Sequence, residues 1–410
     1  MKKHIVFVTG RYTPEGSANV NCVTNVIHEL KQCGYKVSVV CASSVKTGTD
    51  ILDDVNIHRI QYTNYASKLS SCRSPLKKGL LILGHFIKSA FLLPAYPNVT
   101  PAISHKAYKK LLYIHEHEKI DCIISVYQPY FPIQAALLFK NKFRTIPVIG
   151  YYLDVMKGAN KPFGVPQRFF ERLCDIAQKR DFAKLDKILL PECSRSYYDI
   201  EHYEKSHSKI RYLNFPTLLK ENYIGESAQH SMRLVYAGTT NSVYRNPVPA
   251  IRLLTELKAL YPDLVFHLYG NTDMKAQLMQ LQSQSEGAFI YHGVVKKEFA
   301  DLALRQADYC INFGNNVQGM VPSKIFELIA TGKNIIHFSP GPMDSSVEYF
   351  KKYPKAHIID CRKPDIEIKD ELRQVFAQER IAVSYDAIEQ LFYSATPKAV
   401  VTMILELLSI

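Results

Sequence analysis

Gly314, Gly319, Pro322, Ser323, Lys324, Glu327 and Gly332 stand in an order that could hold an anion beside a hydroxylated ring. The spacing predicts a loop, a helix over 320–333 and a strand over 334–338. Glycines open the loop, Pro322 sits where a first helical turn tolerates proline, apolar residues recur at helical spacing, and Gly332 stops the helix. The amino end of such a helix offers unpaired N–H groups and the positive end of the dipole, so Ser323 and Lys324 there would suit a diphosphate. Glu327 lies one turn further along, on the side of Ser323, and could accept hydrogen bonds from a sugar hydroxyl. Any βαβ unit has a capped helix of this kind, so spacing alone leaves a purely structural role equally open. Asp154 is a second candidate, at the end of a strand-like run over 147–153. A carboxylate there faces the crevice where parallel α/β sheets bind ligands, or else caps the helix that follows.

Such residues need a parallel sheet beneath them, and the chain predicts two. Strand-like 5–9 leads through a loop with Gly10 and Gly16 into an amphipathic helix that stops at Gly34. Strands follow over 35–41, 55–61, 121–126, 147–153, 187–191 and 210–214, with helices over 132–142 and 167–184 between them. The G-x-G-x-x-G spacing of dinucleotide sites is absent. After a polar tract over 221–231 a second series starts afresh, with strands over 233–237, 264–269, 288–291 and 309–312 and helices between them. Alternation of this length implies parallel sheets with right-handed crossovers. The expected architecture is α/β: two Rossmann-like doubly wound domains over 1–215 and 232–384, a linker over 216–231, and a helix over 385–410 that packs at the joint and crosses back to the first domain.

With 410 residues, 47% hydrophobic and 22% charged, the composition is that of a soluble globular chain of two or three domains. Nine cysteines show no C-x-x-C pair and no zinc-type spacing, which favours a reducing compartment without a structural metal. The first residues run straight into a strand, too short for a signal-peptide core, so the expected location is the cytoplasm. The net charge of +13 lies wholly in residues 1–230, with 32 basic against 19 acidic residues, while 231–410 hold 19 of each. Residues 55–115 contain nine Lys/Arg and no acid, around an apolar run over 79–93. Lys77, Lys78, Gly84, His85, Lys88 and Ser89 share one helical stripe there, with Leu81 and Leu92 intruding. The run is too short for a bilayer span, leaving a buried domain helix or an interfacial helix on an anionic membrane at the inner face of the cell. No DNA- or RNA-reading module accompanies the charge, so nucleic acid is not an expected partner.

Read in order, several motifs resemble one family. They are Tyr236-Ala237-Gly238-Thr239, Arg245-Asn246-Pro247, Leu268-Tyr269-Gly270, Tyr291-His292-Gly293-Val294-Val295, Ala307-Asp308-Tyr309, Pro322-Ser323-Lys324-Ile325-Phe326-Glu327 and Ala330-Thr331-Gly332-Lys333. Together they resemble the C-terminal domain of retaining GT-B glycosyltransferases of the family-4 group, in its Pro-Ser-Lys-x-x-Glu variant. The resemblance implies two domains facing across a cleft, with the acceptor on the first and a nucleotide-sugar on the second. In similar enzymes an Arg directly after the glycine and a Lys six residues on clamp the donor diphosphate; Thr239 and Arg245 hold those positions here, leaving Lys324 to compensate. The family's paired glutamates would fall at Gly319 and Glu327, of which only the ribose-side acid remains. Backbone amides of Gly319, Met320 and Val321 are left to hold the sugar, and Val295 falls where the base is usually read.

The resemblance thus implies donor contacts from Gly16, Gly238, Thr239, Arg245, Gly270, Val295, Gly319, Met320, Val321, Ser323, Lys324 and Glu327. Catalytic roles fall to Asp154, Arg245 and Lys324, and Lys77, Lys78 and Lys88 would face the membrane. No D-x-D pair occurs, so no metal is required, and the nucleotide-sugar is a substrate rather than a cofactor. The implied reaction moves a hexose from a nucleoside-diphosphate sugar, UDP first among them, to a lipid-linked or polysaccharide acceptor with retention. A non-catalytic subunit of the same fold and a sugar-nucleotide epimerase are the alternatives.

Overall fold

The computed structural model describes residues 2–44, 47–62, 69, 71–72, 74–93, 96–97, 100–158, 165–223, 232–317, 319–379 and 381–408. The chain forms two compact units, Met1–Phe215 with Pro397–Ile410, and Pro216–Thr396. Lys68 and Arg73 of the basic tract lie outside the described residues.

In the first unit the elements run β1 His4–Thr9, α1 Ala18–Gln32, β2 Lys36–Ser43, β3 Gly48–Leu52, β4 Val55–Gln61, α2 Pro75–Leu92 and α3 Pro101–His117. They continue as β5 Cys122–Tyr127, α4 Phe131–Lys142, β6 Val148–Tyr152, α5 Gln167–Lys184, β7 Lys187–Pro191 and β8 Ile210–Leu213. The strands form one eight-stranded sheet in the order β3-β4-β2-β1-β5-β6-β7-β8, parallel except for the β3–β4 hairpin. Alternation decides the two faces. Val6 and Val8 of β1 point into a core shared with α3, α4 and α5, while Ile5 and Phe7 point into one shared with α1. Helix α1 starts because Ser17 Oγ accepts from the Val20 N–H at 3.2 Å, and it buries Val20, Val23, Val26, Ile27 and Leu30 on one face. The β3 strand and α3, which sequence periodicity does not predict, complete this unit.

The second unit contains β9 Met232–Ala237, α6 Val248–Leu257, β10 Leu264–Tyr269, α7 Lys275–Gln284, β11 Phe289–Gly293, α8 Lys297–Arg305 and β12 Tyr309–Phe313. After these come α9 Lys324–Ala330, β13 Asn334–Ser339, β14 Ala356–Asp360, α10 Asp365–Phe376 and α11 Tyr385–Phe392. Its six parallel strands lie in the order β11-β10-β9-β12-β13-β14, the doubly wound order that reverses between β9 and β12. Leu234, Phe266, Ile311 and Ile336 pack against α6 and α10 on one face.

Three expectations need correction. The helix expected over 320–333 is the seven-residue α9, because Met320 and Val321 still follow the loop and Pro322 and Ser323 precede the first helical residue. The helix expected over 385–410 is two. The chain breaks at Pro397, a residue without an N–H to continue the ladder, so α11 stays in the second unit while α12 Pro397–Leu408 joins the first. There α12 packs on α1 and buries Val400, Val401 and Ile404. The start of the expected linker is already part of the second unit: Thr217 and Leu218 are buried, and the Leu218 N–H donates to the Ala395 carbonyl at 3.1 Å.

The apolar run falls on helix α2. It is not a buried domain helix, since Leu76, Leu80, Ile82, Leu83, Phe86, Ile87 and Phe91 are all exposed, Leu76 and Phe91 by more than four-fifths (83% and 82%). Lys77, Lys78 and Lys88 are exposed as well. Arg59, counted with the basic tract, does not contribute to an open face. It is buried, pairs with Asp50 at 2.9 Å and donates to the Thr13 carbonyl.

Candidate active site

The reversal of strand order between β9 and β12 leaves a crevice at their carboxyl ends. Three glycines shape its floor. Gly238, Gly270 and Gly293 end neighbouring strands, with the Gly238 N–H donating to the Tyr269 carbonyl at 2.9 Å and the Gly270 N–H to the Gly293 carbonyl at 2.7 Å. Gly270 has φ +139° and lies so near Gly238 that a Cβ there would stand 1.9 Å from the Gly238 carbonyl oxygen. Gly270 is therefore needed for backbone packing, whereas a Cβ on Gly238 would meet only the Tyr236 side chain, with its hydroxyl at 2.8 Å.

Arg245 lies in the loop after β9 and reaches the loop after β12. Its Nε donates to Asn315 Oδ1 at 2.7 Å, and Asn315 is buried. Lys324 and Glu327 project from α9 in that second loop. Neither makes a hydrogen bond or ion pair with another described residue. Partial burial raises the Glu327 pKa, opposed by the positive charges of Lys324 and Lys297. Lys297 begins α8, directly after the loop that holds Val295, and pairs there with Asp301 at 3.6 Å, whose negative charge acts on Glu327 in the opposite sense. The charges that act on Glu327 are thus Lys324, Lys297 and Asp301, and the half-buried carboxylate has no hydrogen-bonded or ion-paired partner among the described residues.

The short α9 changes the electrostatics expected of this loop. Two turns develop little macrodipole, so attraction for an anion must come from Arg245 and Lys324. Ser323 is held through its carbonyl, which accepts from Thr217 Oγ1 at 2.8 Å. The amides expected to hold a sugar are largely occupied: the Gly319 N–H donates to Ser345 Oγ at 2.8 Å and the Met320 N–H to the Val317 carbonyl at 3.3 Å. Gly319 has φ +75°, so the position where similar enzymes carry an acid here requires glycine on backbone grounds. Val321 is buried, Met320 is half exposed, and Thr239 presents an exposed hydroxyl where a cation was expected. Val295 is half-buried next to the exposed Val294. Lys333 takes no part, because its ammonium donates to the carbonyls of Arg305 and Ala307 at 2.5 and 2.6 Å.

The first unit has its own switch point, between β1 and β5. Gly10 lies against Pro129 there, 2.0 Å from Cδ to an added Cβ. Gly16 is exposed in the loop that Arg59 ties down through Thr13. Asp154, just beyond β6, is exposed and accepts from Asn19 Nδ2 of α1 at 3.0 Å. Among the described residues it makes no capping bond to the turn that starts at Met156. Arg245, Lys324 and Glu327 are thus brought together in one unit, and Asp154 and Gly16 belong to the other. Sequence reasoning missed Asn315 and Lys297. Asn315 follows Gly314 directly and could have been suspected from that; Lys297 carried no signal.

Comparison with solved structures identifies the fold. The chain is similar along 99% of its length to 98% of a glycosyltransferase from Rickettsia africae, with a TM-score of 0.62 and 11% identity. WaaG, a glycosyltransferase involved in lipopolysaccharide biosynthesis, matches with a TM-score of 0.56 and 12% identity over 98% of this chain and 99% of that one. An E. coli trehalose-6-phosphate protein bound with UDP-2-fluoro glucose matches with a TM-score of 0.57 and 10% identity over 100% and 99%. The two parallel-sheet units therefore have the GT-B fold of glycosyltransferases. No protein-family model matches the sequence, and neither does any curated relative.

Proposed function

We propose that the chain is a glycosyltransferase that moves a hexose from a nucleoside-diphosphate sugar, UDP-linked in the first instance, to a lipid-linked or polysaccharide acceptor with retention of configuration. One observation carries the reading: at the topological switch point of the second sheet, the loop of Arg245 meets, through Asn315, the loop that leads to Lys324 and to the half-buried Glu327, which has no hydrogen-bonded or ion-paired partner among the described residues. A diphosphate satisfies the two cations and a ribose diol satisfies the carboxylate. As the glycosidic bond breaks, charge builds on the departing diphosphate. Preorganised cations stabilise that charge more than they stabilise the bound donor, which is what lowers the barrier. Same-face attack by the acceptor hydroxyl, with its proton passing to the leaving phosphate, gives retention without a protein nucleophile. Asp154, with Asn19 holding it, is assigned to orient the acceptor in the first unit. The UDP-sugar named for the E. coli structure supports a UDP donor, and the lipopolysaccharide role named for WaaG supports a cell-surface acceptor.

A lipid-linked acceptor also suits α2. Its apolar residues Leu76, Leu80, Leu83, Ile87 and Phe91 share one side, with Lys78 opposite them, Lys77 and Lys88 on one flank, and the exposed Ile82 and Phe86 on the other. Such a helix lies in the headgroup plane with its lysines toward anionic lipid, and no helix among the described residues is long and apolar enough to cross a membrane. The exposed Thr239, in place of a diphosphate clamp, keeps the non-catalytic subunit as a second reading. One experiment decides between them. Purified protein is given UDP-, GDP- and dTDP-sugars with and without membrane extract; binding with acceptor-dependent sugar transfer supports the enzyme, and binding without turnover supports the subunit. Sugar inversion at the donor without acceptor points to the epimerase, and no nucleotide binding overturns the donor site.

A further inference from the structure

Three polar side chains are buried together beneath the loop that carries Asn315. Asn312 at the end of β12 donates from its amide nitrogen to His337 Nδ1 at 2.9 Å, and His337 Nε2 meets Asp344 Oδ2 at 2.8 Å. Asp344 Oδ1 accepts from the Ser346 N–H at 3.0 Å. All three are at most 5% exposed, His337 fully buried against the Phe350 ring at 4.6 Å. With Nδ1 accepting from Asn312, the Nε2–H donates to the carboxylate. Burial would raise the Asp344 pKa, but the bonds from His337 and Ser346 outweigh it and hold it below the usual range.

A buried chain of this sort is seldom worth more to stability than apolar side chains of the same volume, so its contacts with the loop are informative. Two of them clamp it. A Cβ on Gly314 would lie 1.8 Å from Asp344 Oδ2, so the loop backbone rests directly on the carboxylate. Five residues later the Gly319 N–H donates to Ser345 Oγ at 2.8 Å. Between these points lies Asn315, which accepts from Arg245. Moving Gly314 off the carboxylate would shift Asn315, and with it the guanidinium that Asn315 orients.

We infer that Asn312, His337 and Asp344, with Ser345, are positioning residues for the donor: they fix the loop at Gly314 and Gly319 and so aim Arg245 at the diphosphate. The inference rests on the donor-site reading above. Its effect falls on donor affinity and on the KM for donor more than on kcat, because these side chains shape the loop rather than touch the reacting atoms.

The test uses the full chain, Asp344→Ala, Asp344→Asn and Ser345→Ala, with UDP binding by calorimetry and amide hydrogen exchange by NMR. Asp344→Ala is expected to weaken UDP binding by about tenfold or more, and Ser345→Ala by a smaller factor. Asp344→Asn, whose amide oxygen can still accept from His337, should fall between wild type and Asp344→Ala. In Asp344→Ala and Ser345→Ala the amides of Asn315, Asn316 and Gly319 should exchange faster while those of β12 and β13 keep their protection. Ser345→Ala changes a half-exposed hydroxyl and carries the test if Asp344→Ala does not fold. UDP binding and loop exchange unchanged in folded variants overturn the inference. Loop exchange that rises in the variants of a protein that binds no UDP upholds the clamp and overturns the donor reading instead.

Discussion

Arg245 is the residue on which the donor site turns, because it joins two loops and carries a charge that no carboxylate among the described residues neutralises by an ion pair. Arg245→Ala should lower UDP affinity by about 10–100-fold, the loss of a charge-assisted bond to phosphate, with fold unchanged by circular dichroism. Arg245→Lys should recover little, since an ammonium cannot donate to Asn315 and phosphate in the same plane. Glu327 makes the pH dependence specific. Its folded pKa lies above that of a free glutamate, about 4.3, because of burial. The empty protein should therefore lose stability as pH rises from the ordinary carboxylate range to that raised value. Donor affinity should move the other way and fall as pH drops through the raised pKa, when protonation removes the acceptor for ribose. Glu327→Gln should abolish that inflection in a calorimetric pH series; an unchanged profile would remove Glu327 from the site. Lys324, Glu327 and Arg245 were legible in the sequence because motif spacing carried them. Asn315, Lys297, His337 and Asp344 were not, because each matters through a partner on another loop. Gly270 was legible as special, and the fold adds a backbone reason for it, because a Cβ there would strike the Gly238 carbonyl.

At the scale of elements, strands were read more accurately than helix ends. Alternating or continuous apolar runs such as residues 5–8 and 309–313 leave little freedom of placement, whereas α9 is cut short by a loop whose course depends on Asp344 and Ser345. Helix α2 shows the opposite limit. Its amphipathic pattern was plain, yet only the fold reveals that nothing in the chain covers it among the described residues. Flotation with vesicles containing anionic phosphatidylglycerol should capture the protein, and salt should weaken the capture because each lysine near the surface contributes about 1 kcal/mol. Lys77→Glu with Lys78→Glu and Lys88→Glu should abolish flotation, and Leu80→Glu with Phe91→Glu should do so at low salt as well. Capture that is indifferent to both sets would dissociate α2 from the membrane.

For the whole molecule, the order of elements gives two doubly wound sheets from sequence alone, and the expected return of the last helix to the first domain holds for α12 though not for α11. The apolar face of α12 would serve either unit, and the packing of Val400, Val401 and Ile404 with α1 assigns it to the first. A stop codon after Thr396 should therefore injure the distant unit rather than the adjacent one. In a thermal unfolding scan the first-unit transition should fall sharply, since each buried aliphatic side chain removed costs about 1–3 kcal/mol, while UDP-linked stabilisation of the second unit persists. Equal loss in both units would contradict the assignment.

That arrangement has a temporal consequence. The second unit is one unbroken stretch, Pro216–Thr396, whereas the first is interrupted by it and finished only by Pro397–Leu408. On the ribosome the first unit is therefore begun first and completed last. The later-made half can close its core while the earlier-made half still waits, with α1 uncovered, for the helix that completes it. During that interval the nascent first half exposes an apolar surface that invites chaperone binding.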